Sequence, residues 1–195
     1  MYYRTRIKRL GAGGNARSII VIITLITCML AGMLVGAIAG MNGYPVVSSS
    51  LAGYLQNYGE QFESWDVFRE STLKYGKLVV IIWLLAFLPS GGFMPIGGLV
   101  ASLLLLFRGA AYGFSTAALI KGYGLAGAAS AVILYIPQGI LLIPLYIFVA
   151  YSCISFIQKD NEIKVYLPTL IIGLVVSMLA ALIDAFVIPG LVHGL

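Results

Sequence analysis

The stretch FRGAAYGFSTAALIKGYGLAGAASAVILYIPQGILLIP, Phe107 to Pro144, decides how this chain is read. It carries an arginine, Arg108, inside an apolar run. Glycines stand at Gly109, Gly113, Gly122, Gly124 and Gly127, and a Pro-Gln-Gly step follows at Pro137, Gln138 and Gly139. An ionisable group and a helix break are both expensive at bilayer depth, so together they mark the working part of a membrane protein. The whole composition agrees: of 195 residues 61% are hydrophobic and 10% charged, with mean hydropathy +1.00. Soluble domains carry about a quarter charged residues, so this chain falls outside their class.

Outward from that stretch, the apolar runs predict an all-α polytopic membrane protein with about five transmembrane helices. Residues 1–17 form a basic tail holding Arg4, Arg6, Lys8, Arg9 and Arg17 and no acid. Such a tail beside an apolar helix fixes orientation and meets anionic lipid, so the net charge of +5 is not read as a nucleic-acid signal. Residues 18–195 read as one integral membrane domain. The first run, Ser18 to Met41, exceeds a signal-peptide core and is read as a retained first helix. Its Gly32, Gly36 and Gly40 put three gaps on one helix face, either for packing within the chain or for a homodimer seam.

Residues 42–74 form the long polar segment. Tyr54, Tyr58, Phe62 and Trp65 recur with a helical period among the acids, which predicts an amphipathic interfacial helix and the best docking surface for a partner. Residues 75–106 are too long for one crossing and are predicted to break at Pro89–Pro95. The next turn falls at 121–124, and a second break is predicted at Pro137–Gly139. If that second break were a true turn, a sixth span would follow. The last span, residues 166–188, presents Gly173, Ser177, Ala181 and Ala185 on one face. Seven Lys and Arg on the tail side against four on the other favour a cytoplasmic N-terminus and an extracytoplasmic C-terminus, with 42–74 outside.

Arg108 and Gln138 lie at similar distances from the 121–124 turn, about 22 Å at 1.5 Å per residue. Three readings of Arg108 stand open. It clamps to Gln138 or to carbonyls freed by Pro137; it snorkels to headgroups; or it binds a ligand. Asp184, near the outer end of the last span, is read as a capping or interfacial residue rather than a partner of Arg108. Catalysis finds no support: the single histidine is His193, no nucleophile motif is present, and GAGG at 11–14 follows a basic tail rather than a strand. No metal site or cofactor is read, and Cys28 and Cys153 lie in apolar runs as small packing residues.

The run from Phe68 to Pro144 resembles the stage II sporulation protein M family. The features that carry the resemblance are FRES at 68–71, Leu73 and Lys74, Trp83 in IIWLLAF, LFRGAAYGF at 106–114, the Gly124 to Gly127 turn, and YIPQGILLIP at 135–144. Ala86 and Gly139 depart from the family's usual glycine and asparagine. The resemblance implies a cell-membrane scaffold that positions peptidoglycan-degrading partners, similar to the stage II sporulation proteins D and P, during engulfment. The competing readings are a transporter or channel component with a site at Arg108 and, more weakly, a membrane anchor for a cytoplasmic ATPase.

Overall fold

The computed structural model describes residues 17–42, 64–88, 96–159 and 163–188. All their regular structure is helical. Helix α1 is Arg17–Asn42, and α2 is Ser64–Leu84, closed by a 3₁₀ turn at Leu85–Phe87. A helical run covers Ile96–Lys159 and departs from helical geometry at Gly124 (φ 58°, ψ −129°). Its arms are named α3 (96–123) and α4 (125–159). Helix α5 is Ile163–Leu182 and passes into a π turn at Ile183–Val187.

Gly124 folds the long run back on itself. Its backbone angles lie in territory that L side chains avoid, while a Cβ there would meet nothing within 4 Å. The requirement for glycine is therefore conformational rather than a matter of space. The arms are antiparallel: Tyr112 sets its edge against Tyr135 at 6.0 Å, and Leu119 packs with Ala131 and Leu134. The turn expected at 121–124 is found.

The break expected at Pro137–Gly139 is not found, because α4 runs on as helix through both Pro137 and Pro144. Pro137 removes the donor that would meet the Ile133 carbonyl, and the Gln138 side-chain amide donates to the next carbonyl along, that of Leu134, at 2.7 Å. Packing against neighbouring helices lets a bundle carry a proline without a break. The Pro89–Pro95 segment lies outside the described residues, and its flanks fit the expectation. Leu88, before Pro89, is extended (φ −66°, ψ 136°), as a residue preceding proline prefers, and α3 starts at Ile96.

Three segments among the described residues are long and apolar enough to cross a membrane: Arg17–Asn42, Ile96–Ile157 and Tyr166–Val187. By length and composition, these are the helices of a helical membrane protein. The polar segment needs one correction. Residues 64–74 do not belong to a surface-lying helix; they are the first half of α2, whose Ser71, Tyr75, Val79 and Ile82 form a buried stripe at three- and four-residue spacing. Tyr54, Tyr58 and Phe62 lie outside the described residues.

The small-residue faces pack within the chain. A Cβ on Gly32 would strike the Leu106 carbonyl, one on Gly36 the Ala110 backbone, and one on Gly40 the Phe114 carbonyl. Reciprocally, Gly109 and Gly113 abut the Met29 and Met33 backbones. The two glycine rows form one α1–α3 seam, which allows backbone-to-backbone approach. On α5, Gly173 faces Val79, Ser177 is buried with its hydroxyl on the Gly173 carbonyl, and Ala181 is buried in the core. Aromatic pairs lock both ends of α2 to α5. Trp83 stacks on Tyr166 at 5.1 Å, with Trp83 Nε1 donating to the Tyr166 carbonyl and the Tyr166 hydroxyl to the Trp83 carbonyl. At the other end Trp65 sets edges against Phe68 and Phe186, each at 5.8 Å.

Candidate functional site

Four helices send polar side chains into one place in the bundle. Helix α2 contributes Ser71 and Tyr75, one turn apart and so on one face. Helix α3 contributes Arg108 and Tyr112 at the same spacing, α4 contributes Gln138 and Tyr146, and the π turn after α5 contributes Asp184. Such turns are uncommon and recur at functional positions.

Tyr75 is the hub. Its hydroxyl meets Gln138 Oε1 and lies 2.9 Å from Asp184 Oδ2. It carries one proton and faces two acceptors, so it serves one of them at a time. Ser71 donates to the same Asp184 oxygen at 2.5 Å. All four side chains are buried.

The Arg108 guanidinium turns inward over three rings. Its central carbon lies 4.7 Å from the Tyr112 centroid and 5.8 Å from those of Tyr75 and Tyr146. One Nη donates to the Tyr112 hydroxyl at 3.2 Å. Ring faces carry negative potential and stabilise a cation out of water. Tyr75 links the two polar groups: its ring lies under Arg108 and its hydroxyl meets the Asp184 carboxyl. Among the described residues, neither Arg108 Nε nor the hydroxyl of the fully buried Tyr146 meets a hydrogen-bond partner in good geometry.

The expected clamp is thus indirect. Arg108 and Gln138 share a depth, since both meet Tyr75, but Arg108 bonds Tyr112 and Gln138 bonds Tyr75 and the Leu134 carbonyl. Pro137 takes no part beyond the donor it lacks. The reading of Asp184 as a capping or interfacial group is overturned: it is 8% exposed and bonded to two side chains of α2. Sequence reasoning missed Ser71 and Tyr75 because the boundary between 74 and 75 puts Ser71 in the surface segment and Tyr75 at the start of the next apolar run. The signal available was their four-residue spacing between Phe68 and Val79. Trp65, a predicted docking residue, is 66% exposed.

Comparison of the chain with family profiles, with curated proteins and with solved structures returns no match.

Proposed function

We propose that this protein is a non-catalytic membrane scaffold whose five helices all cross the bilayer and whose polar segment positions cell-wall hydrolases. The partners would be peptidoglycan-degrading enzymes similar to the stage II sporulation proteins D and P, and the setting would be engulfment. The N-terminus is cytoplasmic in this proposal and the C-terminus extracytoplasmic. The carrying observation is the anchoring of α2. Ser71 and Tyr75 tie it to Asp184 and Gln138, only two turns beyond the exposed Trp65 where the polar segment enters the bundle. A partner held by that segment would be held from a fixed point, which is what a positioning protein needs. The family assignment itself rests on the resemblance over residues 68–144.

The test is co-purification of extracytoplasmic hydrolases with the full chain and with Trp65→Ala. Trp65 contributes edge contacts worth about 0.5–1.5 kcal/mol each, so the bundle should survive its loss. Capture is expected to fall while the Trp83 environment stays unchanged. Undiminished capture would remove Trp65 from the docking surface.

A second reading, a solute pathway at Arg108, is favoured by one observation: among the described residues, neither Arg108 Nε nor the Tyr146 hydroxyl meets a partner in good geometry. Solute flux through the purified protein in vesicles, abolished by Arg108→Gln, would promote it over the scaffold.

A further inference from the structure

A lateral groove of about 790 Å³ runs between α1, α3 and α4. Met41 and Ile120 stand at the end nearer the Gly124 turn, and Ile143 and Pro144 at the other. Ile120 is four residues from Gly124 and Pro144 twenty, so the groove is about sixteen residues long, or ~24 Å at 1.5 Å per residue. That exceeds the ~15 Å of one leaflet's hydrocarbon and stays within the ~30 Å of the whole core.

Gly139 makes room for it. The seam glycines 32, 36, 40, 109 and 113 each face backbone that a Cβ would strike, whereas a Cβ on Gly139 would meet only the Ile143 Cδ1 at 3.7 Å. No neighbour demands a glycine there; its effect is an open wall in the groove. The lining is apolar apart from Thr116 and the two tyrosines, Tyr112 and Tyr135. At the Gly124 end stands a cation, Lys121, whose ammonium bonds the Met41 carbonyl at the rim.

We propose that this groove binds one acyl chain of an anionic phospholipid, with the headgroup drawn to Lys121 and the chain running past Gly139 toward Pro144. The inference rests on the membrane reading and is independent of any partner enzyme. Tyr112 forms part of the wall and also holds Arg108, so a seated chain would press on the residue that orients the guanidinium.

Native mass spectrometry of the full chain from mixed micelles of phosphatidylglycerol or phosphatidylcholine tests it. One retained phosphatidylglycerol per chain is expected, favoured about fivefold over phosphatidylcholine, the factor one lysine near the headgroups supplies. Gly139→Leu displaces about two methylenes and should lower retention about tenfold. Ala37→Leu, filling from the α1 wall, should act likewise if the first variant folds poorly. Lys121→Gln should abolish the headgroup preference while leaving a chain bound. Leu30→Trp, on the exposed side of α1, should change nothing. Unchanged retention in both groove-filling variants, or a dimer in the wild type that both variants dissolve, would overturn the proposal.

Discussion

Replacing Tyr75 with phenylalanine isolates the hub of the polar cluster. The ring stays, so packing in the core and the face offered to Arg108 at 5.8 Å are retained. Only the hydroxyl between Gln138 and Asp184 is lost. A hydrogen bond to a charged group contributes about 1.5–3 kcal/mol in folded proteins, whereas interhelical bonds in membranes average about 0.6 and reach about 1.7. Asp184 keeps Ser71, but Gln138 Oε1 loses the tyrosine proton in a buried position, so a cost near 2 kcal/mol is expected. The assay is denaturant titration in mixed micelles, followed by Trp83 fluorescence, since Trp83 stacks on Tyr166 and reports α2–α5 contact. A double-mutant cycle with Asp184→Asn should give a coupling above about 0.5 kcal/mol, the level that separates touching residues from independent ones. A single-mutant cost below about 0.5 kcal/mol, or additive costs in the cycle, would refute the reasoning.

Gly36→Leu drives a side chain into the Ala110 backbone, so α1 should detach from α3, with a loss in the same titration beyond the 1–3 kcal/mol of ordinary overpacking. Gly124→Ala places a Cβ at φ 58°, ψ −129°, costing about 1–3 kcal/mol of backbone strain, measurable in the same titration although no neighbour is touched.

The sequence announces the parts of the fold that depend on local chemistry. Hydropathy marks the apolar runs, and Gly124 stands at the one reversal among the described residues that needs positive φ. The glycine rows at 32, 36, 40 and at 109, 113 are visible as small-residue spacing, but a row does not name its partner, so dimer and internal seam read alike. Pro137 misleads because packing against neighbouring helices can carry a helix through a proline whose local penalty alone would break it. Arg108 is conspicuous as a charge among apolar residues. Its surroundings are not, because Tyr75, Tyr112 and Tyr146 come from three helices and share no sequence window. Asp184 is hidden for the same reason: counting along α5 gives its height, whereas its neighbours depend on how α2 is set against it.

The reversal at Gly124 turns one 62-residue apolar run into two antiparallel arms, which in the proposed topology are two crossings. Impermeant thiol labelling of Leu125→Cys, Ile96→Cys and Ile163→Cys, with Cys28 and Cys153 replaced by alanine, tests this directly. All three positions are exposed and flank the two arms. The account predicts that Leu125→Cys reacts from one side of the membrane and the other two from the opposite side. Labelling of all three from a single side would contradict it.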